Sequence, residues 1–179
     1  MEDPTNPALS RLSAEAEAAA QAQRRELASK ADFAQALTDI TSLATRTLRI
    51  FDPTVAEFGL NSPQREEQLN RFLRMRRTNR LMIAVHDPRV ITLSSPRLLR
   101  LLRLFSHAIA IHRTNDAIRN IEDALVIADD LHCIRKPHFE RTRGVVYLHE
   151  PVETREWLNR FEAIWEQSTP SVSATTIGL

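Results

Sequence analysis

Six short apolar runs constrain this chain more than any other feature: TLRIFDP (47–53), RLMIAVHDP (80–88), HAIAIHR (107–113), ALVIADD (124–130), LHCIRKP (131–137) and RGVVYLHEP (143–151). Each has strand length, and four stop at a proline. Proline supplies no ladder donor and pushes its predecessor out of the α region. Helical patterns separate the first three runs, which predicts βαβ crossovers and a partly parallel sheet. The last three follow one another without a helix, and Asp129-Asp130 reads as a hairpin-like turn between two of them, so the sheet is expected to be mixed.

The helices read as follows. From Asp32 to about Arg46, Phe33, Leu37, Ile40 and Leu43 share one face. Asn61-Ser62-Pro63 is a helix start, with Ser62 as N-cap and Pro63 at the first helical position, and that helix ends near Arg77. Ser95-Pro96 opens another, in which Leu98, Leu101, Leu102 and Phe105 form a stripe. The last, roughly 152–167, puts Trp157, Phe161, Ile164 and Trp165 on one face. These elements assign residues 31–168 to one α/β domain with a mixed central sheet and helices on both faces. Residues 1–30 are Ala/Glu/Gln-rich, and alanine's propensity predicts a helical or flexible extension there. Residues 169–179 are Ser/Thr-rich and read as a disordered tail with nothing to pack.

Composition narrows the function classes. An apolar share of 42% and a charged share of 26% are those of an ordinary globular domain. No apolar run reaches spanning length, and the N-terminus MEDPTNPALS has neither a basic region nor an apolar core, so a cytoplasmic protein without membrane contact is expected. The single cysteine, Cys133, excludes a disulfide framework. Three scattered glycines exclude glycine-rich nucleotide loops, and no cofactor is expected. Charge is uneven: residues 65–103 carry ten arginines against Glu66, Glu67 and Asp87. Aromatics for base stacking are nearly lacking there, which makes nucleic acid a poor partner. Successive crossovers at one sheet edge would still bring Arg71, Arg74, Arg100 and Arg103 together as a surface for an anion or a partner protein.

The segment Glu122-Asp123-Ala124-Leu-Val-Ile-Ala-Asp129-Asp130 carries a resemblance. A strand written His-x-Lys-x-x-x-x-Asp marks the phospholipase D superfamily, and this chain resembles it in spacing, apolar filler and Asp129. Glu122 stands at the His position and Ala124 at the Lys position. The preceding βαβαβ pattern, and the closing strand and helix GVVYLHEPVETREWLNRFEAIWEQ, resemble a phospholipase D half-domain over about residues 43–168. Within the superfamily the chain is similar to a degenerate domain C-terminal to bacterial GNAT-type acetyltransferases, whose function is not established. Asp87-Pro88, Ala128-Asp129-Asp130 and Arg135-Lys136-Pro137 carry that likeness. The resemblance implies a phospholipase D-like half-domain and, as a partner, a separately encoded acetyltransferase or a second copy of the chain.

It also implies what has been lost. Superfamily members cleave phosphodiesters with one His as nucleophile and another as general acid, while Lys stabilises the oxyanion. Glu122 would repel an incoming phosphate and Ala124 brings no charge; losing one such stabiliser costs a hundred- to a thousandfold in rate. LHCIRKPHF also lacks the Gly-Ser-x-Asn that binds phosphate in active members. No catalytic residue is therefore assigned, and a binding or regulatory role is expected. The alternative is a phosphodiesterase or nuclease with an atypical site in a homodimer, or a nucleic-acid-binding module. Asp129 is expected to shape its turn. His132, Cys133, His138 and His149 do not form a metal site, because Cys133 and His132 alternate across the strand.

Overall fold

The structure, a computed structural model, describes residues 22–55 and 58–173. Along the chain run β1 (Gln23–Leu27), α1 (Lys30–Leu43), β2 (Thr47–Phe51), α2 (Pro63–Met75), β3 (Arg80–Val85), α3 (Arg89–Ser94), α4 (Pro96–Leu104), β4 (Ile109–Thr114), β5 (Ala124–Ala128), β6 (His132–Lys136), β7 (Gly144–Leu148), α5 (Pro151–Glu166) and β8 (Ser168–Val172). All eight strands form one sheet in the order β1-β7-β6-β5-β2-β3-β4-β8. β2, β3 and β4 are parallel, as crossovers through helices require, and every other pairing is antiparallel. The fold is therefore α/β with a mixed sheet.

Helices cover both faces unequally. Phe33, Leu37 and Ile40 of α1, Leu69 and Phe72 of α2, and Leu98 and Leu101 of α4 pack on Val126, Ala128, Ile134 and Val146 of the sheet. α5 covers the opposite face, where Trp157, Phe161 and Ile164, with Ile118 from the link before β5, meet Leu125, Ile127 and Cys133. Alternation assigns the even residues of β5 to the α1 face and the odd ones to the α5 face. α1 starts two residues ahead of Asp32, and α2 starts where expected. The Ser29 hydroxyl accepts from the Asp32 amide and Asp32 accepts in return from the Ser29 amide, a capping box, and Ser62 caps α2 ahead of Pro63.

Two expectations at the chain ends are overturned. Gln23–Leu27 lies within the span read as helical or flexible, yet it is a strand paired antiparallel with β7. Ser168–Val172 includes residues read as a disordered tail, yet it pairs with β4 and buries Val172. In both cases the open backbone of a sheet edge outweighs local composition. Residues 1–21 and 174–179, the remainder of those two expectations, lie outside the described residues. Among the described residues no helix is long and apolar enough to cross a membrane.

Candidate functional site

The parallel strands β2, β3 and β4 end at one rim of the sheet, with Asp52, His86 and Thr114 at or just past their ends. β5 runs antiparallel to β2, so its start joins the same rim. Crevices at the carboxyl ends of parallel strands are the usual ligand sites of open α/β sheets. His86 ties the rim together. Its Nε2 lies 3.0 Å from the Ile121 carbonyl, which can only accept, so Nε2 donates; its Nδ1, 2.5 Å from the Thr114 hydroxyl, is then the acceptor. Asp52 is buried, and its Oδ1 accepts from the amides of Thr54 and Val55 and from the Thr54 hydroxyl. Burial, the largest influence, raises its pKa against those bonds and the charge of Lys136.

Glu122 and Ala124 stand at this rim. Glu122 is exposed and its carboxylate lies 3.3 Å from His138 Nε2, while its carbonyl accepts from the Phe139 amide. Ala124 is buried and pairs in register with Lys136 of β6. That register puts Lys136 directly opposite Ala124 and His138 opposite Glu122. Lys136 is itself buried, with Nζ bonded to the Phe139 carbonyl at 2.7 Å and 4.7 Å from the Phe33 ring centre. The sequence lists both residues, but only the strand register reveals their placement.

Asp129 is elsewhere. Five residues of strand separate it from Ala124, roughly 16 Å at the usual rise. Its carboxylate accepts from the Thr45 amide and hydroxyl at 2.6 and 2.7 Å and from the Arg46 and Thr47 amides, both at 2.8 Å. Burial alone would raise its pKa; the bonds from Thr47, Thr45 and Arg46 outweigh it and hold the group below its ordinary value. Asp129 and Asp130 have φ of 55° and 60°, and the Leu131 amide donates to the Ala128 carbonyl. Two consecutive left-handed residues give the sign pattern of a type I′ turn, where Asp is tolerated better than most residues. Asp129 thus anchors the α1–β2 loop to the hairpin.

On the α5 side of the rim lies an open cleft of about 650 Å³ between the link before β5, the end of β6 and α5. Asp123 faces it, its carboxylate bound by Arg160 Nε at 2.5 Å and Nη2 at 2.7 Å. Arg135 lies over Trp157, 4.1 Å from the ring centre. In the sequence Arg135 stands out only within Arg135-Lys136-Pro137, and nothing there distinguishes Arg160 from its many neighbours.

The other candidates separate. His132 is buried, its Nδ1 accepts from the His149 amide, and the two rings meet edge-to-face at 4.6 Å. Burial first, then the His149 charge, lower its pKa to about 4. Cys133 is buried on the opposite face and burial pushes its thiol pKa far up, leaving no thiolate for nucleophilic attack. α2 and α4 pack side by side, with Arg71, Arg74, Arg100 and Arg103 exposed. Glu66 accepts from Arg97 at 2.7 Å and from Arg100, while Arg74 donates to Asn70. Part of the expected cationic surface is thus already neutralised.

A family model described as "Domain of unknown function (DUF7931)" matches residues 29–175. No curated protein sequence matches the chain. Among solved structures, the chain is similar to Nuc of Salmonella typhimurium, a phospholipase D family member, at a TM-score of 0.57 and 15% identity over 85% of this chain and 98% of that one. It is similar to the phosphatidylserine synthase of Haemophilus influenzae at 0.58 and 14%, over 88% of this chain and 41% of that one. Likeness to the archaeal chromatin protein TrmBL2, whose structure shows a mode of DNA binding, reaches 0.62 at 8% identity over 83% and 53% of the two chains. At such identities these likenesses concern the fold, which is phospholipase D-like.

Proposed function

The chain belongs to the family described as a domain of unknown function (DUF7931), and from that premise we propose that it is a phospholipase D-like domain of the cytoplasm that binds or regulates without cleaving phosphodiesters. One observation supports the reading: the two positions that the resemblance aligns with the superfamily's His and Lys hold an exposed carboxylate, Glu122, and a buried methyl group, Ala124. Electrostatic stabilisation of a phosphorane needs cations aimed at its oxygens. Glu122 has the wrong sign, and Asp129 is saturated at the other end of β5. A separately encoded acetyltransferase is the partner proposed from the resemblance, and a second copy of the chain is the alternative one. The test is incubation with plasmid DNA and with phosphatidylcholine vesicles. Both should remain intact, and cleavage abolished by Glu122→Ala would defeat the reading.

A second reading, an atypical phosphodiesterase, is favoured by the placement of His138 and Lys136 across the strand pair from Glu122 and Ala124. In it His138 takes the nucleophile's part and Lys136 the stabiliser's. Against it, Lys136 is buried with Nζ committed to a carbonyl. Phosphodiester turnover that vanishes in His138→Ala would establish it.

A further inference from the structure

Arg135 is an unusual cation. Its guanidinium stacks on Trp157 in the α5 cleft, its Nε is buried without a hydrogen-bond partner, and among the described residues no acceptor reaches it. Arginine has five donors, and leaving a buried one unmade is costly. That nitrogen is shielded from the cleft, and no ion pair compensates the guanidinium among the described residues. Arg160 lines the same cleft, fixed by its two bonds to Asp123, which cancels that carboxylate's charge. Glu156 also lines it, exposed and with no ion pair among the described residues. Glu122, shared with His138, stands at the mouth. The cleft therefore offers a planar cation and one free carboxylate, Glu156, in a volume of about 650 Å³, within the span of about 300–1,000 Å³ usual for small-molecule sites.

We propose that this cleft binds a small zwitterion, a phosphate or carboxylate that also carries an ammonium group. The anion lies against Arg135, whose fork suits two oxygens at once. The ammonium meets Glu156, which would repel a simple anion. Asp123 and Arg135 face α5, whereas Ala124 and Lys136 face α1, so the site lies across the sheet from Ala124 and meets the degenerate motif only at Glu122, at its mouth. The proposal extends the binding role above by naming a ligand class. Cleavage assays test that role; the binding assays below test this one, and either can fail alone.

The experiment is calorimetric titration of the full chain with phosphoethanolamine and with β-alanine, each against its ammonium-free counterpart, inorganic phosphate or acetate. At least one zwitterion should bind tenfold or more tightly than its counterpart, and which one does identifies the anion. Arg135→Met should weaken that binding at least tenfold without lowering the melting temperature, since it removes an orphaned donor and keeps contact with Trp157. Glu156→Gln, at an exposed position, should erase the preference over the ammonium-free anion. No binding of either zwitterion at millimolar concentration, unchanged affinity in Arg135→Met, or an unchanged preference in Glu156→Gln would overturn the proposal.

Discussion

At the scale of single residues, position decides role more than residue type does. Asp129 stands at the acidic position of the motif that the chain resembles, and its surroundings make it a structural anchor. Four hydrogen bonds converge on it from residues 45–47, and a hydrogen bond to a charged group contributes about 1.5–3 kcal/mol net. Asp129→Ala should cost about 3 kcal/mol in urea denaturation. Because its folded pKa lies below its ordinary value, its contribution is complete above the unfolded-state pKa near 4 and is lost as pH falls through the folded value. His132 acts in a different window. Folded, it stays neutral down to about pH 4, while the unfolded chain protonates near 6.5. The unfolded state then binds more protons between those values, so stability falls as pH drops from about 6.5 to about 4, by up to about 3 kcal/mol. Its neighbours His149 and Asp129 pull in opposite directions on that value. His132→Asn, which can still accept from the His149 amide, should flatten the stability profile across that window; an unchanged profile would remove His132 from the account.

At the scale of elements, what was legible in the sequence depended on whether the determinants were local. The α5 stripe is local: aromatics at four-residue spacing with no competing pattern, and Phe161 and Ile164 are buried as expected. Trp165 departs from that reading. It is half-buried and stacks on His112 with ring centres 3.7 Å apart. Phe161→Ala should therefore cost about 3–5 kcal/mol, and Trp165→Ala only about 1–2, the stack plus partial burial; calorimetric melting of the two variants would show equal losses if α5 were packed evenly. The Asp129-Asp130 turn is local too, since Asp tolerates the left-handed φ that it needs. The edge strands are not. QRREL of β1 exposes four of five residues and carries no strand pattern, and STPSV of β8 contains Pro170, which only an edge or a bulge accepts. Both exist because β7 and β4 would otherwise present unpaired backbone. A chain ending at Gln167 should accordingly associate with rising concentration in light scattering; a monodisperse monomer would show that β4 needs no cover. The opposition of Lys136 to Ala124 was equally hidden, because register between strands is not written in either strand alone.

At the scale of the whole molecule, two features lie on opposite faces of the sheet: the cleft beneath α5 and the arginine-bearing face of α2 and α4. The crossovers bring those helices together as the sequence implied, but Glu66 draws Arg97 and Arg100 into a local network. Arg71 and Arg74 remain exposed and bonded to no acid among the described residues. Arg71→Glu combined with Arg74→Glu should weaken a partner or self-association contact in low salt while the melting temperature stays nearly constant. Loss of stability without loss of association would assign these arginines to the fold. The central claim concerns the opposite rim, where a phospholipase D-like frame holds a carboxylate and a methyl group at its chemical positions. Release of p-nitrophenol from bis(p-nitrophenyl) phosphate by the purified full chain, measured beside Glu122→Ala and His138→Ala, tests it most directly. The account predicts the same background rate for all three proteins. Wild-type turnover above background that either substitution abolishes would contradict it.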